Sequence, residues 1–293
     1  MQAASSDYKD AVGKKLVKIG KFDIKEVQER LQNTVLSRQE NHWYVLQNSP
    51  AAMVRPEILH AIGIVPALES ADFVFRDEEG KETILNITPI PTDAKPTWAR
   101  ASKAVMLYQQ NARESFWFTY VPELNAVYLN FRKYDNLAQN IKKLFDFMAE
   151  NKASRLIIDL RQNHGGDFTK VRRQLIPKIQ ENQYLNQKEN LFIITGRGTF
   201  SAALTNAIDF KKQTNATIIG EPPGERPNSW SENDEFTLPN SRLIVSYSTK
   251  YYKFLDEDVT AFKPDVSVDP NWSDFSEGKD SVMEKIRQII KGK

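Results

Sequence analysis

A serine in the stretch ITGRGTFSAALTNAIDF, residues 194–210, follows a glycine-punctuated strand end and opens a segment with helical spacing. That placement exposes the hydroxyl of Ser201 and sets the next amide, of Ala202, near the positive end of a helix. Ser201 is therefore a candidate nucleophile, although a helix N-cap, a post that serine often fills, reads the same letters. A second loop, in IIDLRQNHGGD, places Asn163, His164, Gly165 and Gly166 after an apolar strand. Glycines in series there let the backbone approach a ligand closely and aim N–H groups at developing negative charge, or else close a tight turn. If Ser201 is a nucleophile, a base is still needed to take its proton.

Composition removes several other chemistries. The sequence has no cysteine, which excludes disulfides, thiolate nucleophiles and Cys-type zinc sites. Its 3 histidines, His42, His60 and His164, are far apart and form no HExxH-like pattern, so a metal site is not expected. Forty basic against 38 acidic side chains, without a long run of either sign, give no footprint for nucleic acid or an anionic membrane. No window reaches the roughly 18 apolar residues of a membrane span. The opening MQAASSDYKDAVGKK lacks the apolar region of a signal peptide, and a strand already begins at Gly13, so the completeness of the N-terminus stays open.

The elements that must position the two loops are legible as alternation and periodicity. KKLVKIGKF reads as a strand and turn, followed by a helix over DIKEVQERLQNTV with Asp23 at its cap. Residues 38–68 read as irregular, with one helix around RPEILHAIGI, and DFVFRDEEGKETILNITPI predicts a β-hairpin. PIPTDAKPTWARASK, with its prolines, predicts a linker. Beyond it, strands at AVYLNF, RLIIDL, NLFIIT and ATIIG alternate with helices at LAQNIKKLFDFMAENK, FTKVRRQLIPKIQEN and after Ser201. This predicts an α/β core with parallel neighbours. Shorter strands from SRLIVSYS onward and a terminal helix over DSVMEKIRQIIKGK complete it. The predicted divisions are 1–95, 96–112 as linker, and 113–293.

Read in order, LIIDLRQNHGGD, GRGTFSAAL, ATIIGEPPGERPN, FTLPNSRLIVSYSTKYY and KPDVSVD resemble the blocks of the C-terminal processing peptidases, or tail-specific proteases, a family that includes the tricorn core peptidase. VGKKLVKIGKFDIKEV and the hairpin resemble a PDZ-like module, here partial and carrying a helical insert. The resemblance spans most of residues 12–275. It implies a spiral ββα-type peptidase core, ClpP/crotonase-like, over 113–293, and a serine peptidase acting through an acyl-enzyme on protein or peptide substrates held by an extended C-terminus. By block position it implies Ser201 as nucleophile, and Gly165 or Gly166 together with Ala202 as oxyanion amides. Arg226 and Asn228 fall in the substrate-binding loop. The implied mechanism needs neither a metal nor an organic cofactor, an extracytoplasmic or secreted setting is also implied, and the oligomeric state is left open.

The family's bases are not matched. Where the Ser–Lys branch has its lysine stands Arg226, which holds its proton and cannot accept another. That branch's accompanying glutamate is Leu204, the histidine of other relatives is Ser229, and the tricorn-type histidine is Asn130. His164 beside the glycines is the remaining candidate base, or an exposed loop histidine without a role. Arg226 reads either as a fork for a substrate carboxylate or as a solvated loop residue. Asp159 with Arg161 reads as structural. Alternatives to a peptidase are a catalytically impaired relative that binds peptides as a scaffold, and a different enzyme on the same core.

Overall fold

The computed structural model describes residues 1–37 and 40–292. Residues 38 and 39, at the start of the stretch read as irregular, and Lys293, the last residue of the helix predicted over 280–293, lie outside the described residues. The chain divides into two units, residues 1–112 with 268–293, and residues 113–267.

The first unit begins with β1 (Ala3–Ser5), β2 (Lys15–Ile19) and β3 (Phe22–Asp23), then α1 (Ile24–Gln32), α2 (His42–Ala52) and α3 (Pro56–Ala61). It continues with β4 (Ala71–Arg76), β5 (Glu82–Ile87) and β6 (Trp98–Arg100). The predicted hairpin is β4 and β5, paired from Ala71↔Ile87 to Arg76↔Glu82. These strands form an antiparallel sheet in the order β3-β2-β4-β5, while β1 pairs with β6 inside the stretch read as linker. Val27 and Leu31 of α1 pack with Ile19, Leu59, Phe73 and Phe75 as the core of this unit. The segment predicted to be irregular contains α2. Its apolar residues lack helical periodicity and Pro50 interrupts it, yet Asn41 caps it by accepting the Tyr44 amide at 3.0 Å.

In the second unit β7 (Phe116–Val121) and β8 (Ala126–Phe131) form an antiparallel pair, and α4 (Leu137–Glu150) leads to β9 (Arg155–Asp159). Then come α5 (Phe168–Gln174), α6 (Ile176–Glu181), β10 (Leu191–Thr195), α7 (Ala202–Gln213) and β11 (Thr217–Gly220). The helix predicted over 168–182 is divided at Leu175, because Pro177 at the start of α6 has no N–H for the preceding turn. An exposed ribbon of β12 (Ser229–Thr237) and β13 (Ile244–Tyr252) follows, and β14 (Val266–Ser267) closes the unit. Residues 268–293, read from sequence as part of the core, belong to the first unit and carry α8 (Trp272–Ser276) and α9 (Ser281–Lys291). The Lys103 amide donates to the Ser276 carbonyl at 3.3 Å, and Gly278 lies so close to Ala104 that a Cβ there would come within 2.7 Å.

The six-stranded sheet runs β14-β11-β10-β9-β8-β7, with β8, β9, β10, β11 and β14 parallel. Parallel neighbours require crossovers, which α4, α5 with α6, and α7 provide. Val127, Leu129, Leu156, Ile158, Leu191, Ile193 and Ile218, alternate residues of their strands, pack with Leu137, Ile141 and Leu144 of α4 in one core. Their neighbours Tyr128, Ile157, Phe192 and Ile219 are also fully buried. Burial on both faces explains why these strands read as unbroken apolar runs.

Candidate active site

Because β9, β10 and β11 are parallel, the loops that leave their C-terminal ends emerge on one side of the sheet. The three loops are bonded to one another. The Phe200 amide donates to the Asn163 carbonyl at 3.0 Å, and Thr199 Oγ1 donates to the Leu160 carbonyl at 2.9 Å while accepting the Gly196 amide at 3.0 Å. The Gly224 amide donates to Arg197 at 3.0 Å, and Arg197 is paired with Glu221 at 2.5 Å. Asp159 anchors the root of the first loop, accepting the Tyr128 hydroxyl and the Arg161 guanidinium, each at 2.6 Å.

Ser201 sits at the end of the β10 loop with φ 53° and ψ −122°, outside the ordinary range of a residue with a side chain. It occupies the cap position of α7, but its hydroxyl makes no capping bond. Facing it is Gly165, at φ +112°. A Cβ on Gly165 would lie 2.8 Å from Ser201 Cβ and 3.2 Å from its Oγ, so only glycine permits this approach. Gly166 lies against the ring of Tyr134, whose phenol donates to Asn206 Oδ1 at 2.7 Å and is pushed strongly up in pKa by burial. The Gly165 amide is engaged, donating to Asn163 Oδ1 at 3.0 Å. The amides of Gly166 and Ala202 find no acceptor among the described residues, as expected for the first position of a helix in the second case.

A cavity of about 420 Å³ opens at this point, within the usual range for a ligand site. Ser201, Gly166, Ala202 and Leu204 line one side of it, and Phe168, Tyr252 and Phe254 form an aromatic wall on another. In that wall Tyr252 and Phe254 are stacked at 5.2 Å and Phe168 meets Phe254 edge-on at 5.7 Å. Behind it the Arg172 guanidinium lies 4.6 Å from the Phe168 ring and forks onto Asp209 at 2.7 and 2.8 Å. The base of the exposed ribbon also lines the cavity through Ser229, Ser231, Glu232 and Lys250. Asp167 and Glu225 add carboxylates, and Arg226 adds a cation.

Of the residues singled out from sequence, the structure brings Ser201, Gly165, Gly166, Ala202 and Arg226 together. Arg226 is ion-paired with Asp258 at 2.9 Å. His164 is exposed and does not line the cavity; its Nδ1 lies 3.0 Å from the Gly198 carbonyl. Asn228 is buried and tied to main chain, accepting the Phe254 and Leu255 amides at 2.9 Å each and donating to Leu255 and Glu257 carbonyls at 2.9 and 3.1 Å. It braces the loop and does not face the cavity. Asn130 is buried beside Asp159 in the sheet.

Sequence reasoning missed Glu225, which is 6% exposed and accepts the backbone amide of Ser201 through Oε2. The signal was its place in GEPPGERPN, directly before Arg226, the residue aligned with the family's lysine. Lys250 was missed as well, its ammonium lying 4.6 Å from the Tyr252 ring. Among the described residues no cluster of His, Asp and Glu is arranged to hold a metal ion, and no helix is long and apolar enough to cross a membrane.

No protein-family model matches the chain, and no curated protein matches it significantly. Solved structures do. Mature CPAF complexed with lactacystin superimposes with a TM-score of 0.57 at 10% identity, covering 96% of this chain and 79% of that one. Mature CPAF without it gives a TM-score of 0.57 at 10% identity, over 96% and 78%. The photosystem II D1 C-terminal processing protease matches at a TM-score of 0.42 and 13% identity, over 98% and 70%. The chain thus has the fold of CPAF.

Proposed function

We propose that this protein is a serine-type peptidase that cleaves protein substrates through an acyl-enzyme on Ser201. The observation that carries the reading is the strained backbone of Ser201, φ 53° and ψ −122°, which presents an uncapped hydroxyl to a glycine loop at the edge of a cavity. In this reading the Gly166 and Ala202 amides receive the oxyanion of the tetrahedral intermediate, and Gly165 provides the close approach. Arg226 exchanges Asp258 for a carboxylate of the substrate. The spiral ClpP/crotonase-like character of the core is part of the same proposal, supported by the one-directional strand order from β8 to β14. So is the PDZ-like role of the first unit. Its cavity of about 720 Å³, walled by Leu16, Ile24, Met53, Leu59, Phe73 and Trp272, suits an apolar C-terminal segment of the substrate.

The test is labelling by a fluorophosphonate probe together with turnover of an unfolded protein substrate. The wild-type chain is expected to label and cleave, and Ser201→Ala to do neither. A second reading, a non-catalytic peptide-binding relative, is favoured by Arg226, Ser229 and Asn130 standing where bases were sought. Peptide binding without Ser201-dependent labelling at any pH would establish that reading instead.

A further inference from the structure

The serine proton needs an acceptor, and Glu225 brings a carboxylate into contact with the serine. We infer that Glu225 is the general base of this site, an assignment that rests on the peptidase reading above. Its Oε2 accepts the Ser201 amide, and its side chain is 6% exposed within the wall of the same cavity. The amide nitrogen and Oγ of one serine are separated by only Cα and Cβ. A carboxylate held on the first is therefore within one side-chain rotation, or one water, of the second, which is the reach a general base requires.

The competing groups are placed less well. His164 directs Nδ1 to the Gly198 carbonyl and lies outside the cavity lining, Lys250 rests on the Tyr252 ring, and Arg226 cannot lose its proton. Asp167 accepts the Thr169 amide at 3.0 Å and its hydroxyl at 2.6 Å. Glu232 accepts the Tyr252 hydroxyl at 2.8 Å.

The electrostatics of the step are coherent. As Ser201 Oγ bonds to the scissile carbonyl carbon, its proton passes to Glu225 and the carbonyl π pair moves onto oxygen. The carboxylate is neutralised in the same event that creates the oxyanion, so the net charge of the site is unchanged and the negative charge shifts towards the Gly166 and Ala202 amides. On collapse the C–N bond breaks, and the Glu225 carboxylic acid returns its proton to the departing amine. A water then repeats the sequence on the acyl-enzyme, giving its proton to Glu225 and releasing Ser201.

The experiment is the rate of fluorophosphonate labelling as a function of pH for the full chain, with Ser201→Ala, Glu225→Gln, Glu225→Asp, His164→Ala and Lys250→Met, each variant checked for folding by circular dichroism and thermal melting. The expected result is a wild-type rate that rises through one ionisation. Glu225→Gln should lose that rise and label on the order of 100-fold more slowly at neutral pH, or slower, the scale of general-base catalysis. Glu225→Asp should keep the rise with its midpoint moved. A folded Glu225→Gln that labels more slowly by a constant factor yet keeps the rise would overturn the assignment, because Glu225 would then merely hold the loop. A rise that disappears in His164→Ala or Lys250→Met instead would overturn it equally. Absence of Ser201-dependent labelling in the wild type would remove the peptidase reading itself, and the base with it.

Discussion

Replacing Gly165 with alanine tests whether its loop and Ser201 are in the contact described. The added Cβ would meet Ser201 Cβ at 2.8 Å, Ser201 Oγ at 3.2 Å and the Phe200 carbonyl at 3.3 Å, on a backbone with φ +112°. Two penalties follow. Holding a side chain at positive φ costs about 1–2 kcal/mol, and crowding a packed site costs about 1–3 kcal/mol. Together they predict a loss of about 2–5 kcal/mol in urea unfolding, unless the loop relieves the contact by moving Ser201. Gly80→Ala separates the two penalties: its φ is +87° but nothing lies within 4 Å of the new Cβ, so it should show the backbone cost alone. Stability of both variants would be measured by urea titration, and the hydroxyl's position by the labelling rate. The reasoning is refuted if Gly165→Ala is no less stable than Gly80→Ala and also labels at the wild-type rate.

Asp167 caps α5, and hydrogen bonding from the Thr169 side chain is the main cause of its depressed pKa. A depressed carboxylate stabilises the fold above its unfolded value and loses that contribution as pH falls through its folded value. As a lost helix cap, Asp167→Ala should cost about 1 kcal/mol near neutrality, and the gap in melting temperature from wild type should narrow as the pH falls below the ordinary aspartate value of 3.8. Asp209→Ala strands the Arg172 guanidinium behind the aromatic wall. Because Arg172 keeps 35% of its side-chain exposure, the cost should be about 2–3 kcal/mol, below the usual range for a broken buried pair. A urea titration showing less than about 1 kcal/mol would contradict that account.

The parallel core was legible because its strands are buried on both faces, so Leu156 to Ile158 and Leu191 to Ile194 leave apolar runs no solvent-facing strand would show. The ribbon was half legible. SRLIVSYS reads as a strand, but its partner, Ser229 to Thr237, is mostly polar and exposed, and pairs by backbone bonds that leave no apolar pattern. Helix α2 was hidden by Pro50 and by an apolar distribution without a face. At the site, Gly165 was legible because its positive φ and its close approach to Ser201 admit only glycine. Asn228 bonds main chain, a role that sequence cannot tell from bonding a ligand, because both use the same letters. Glu225 escaped because its contact, with the amide of a residue in another loop, exists only once β10 and β11 lie side by side.

The backbone of Ser201 also limits what this position can become. At φ 53° with Gly165 packed against its Cβ, a residue branched at that carbon is disfavoured, so threonine is a poor substitute. Cysteine keeps the unbranched outline and alanine shortens it, and both can be accommodated without moving the loop. The position is thereby restricted to small, unbranched side chains, whereas threonine would first demand that the Gly165 loop move away.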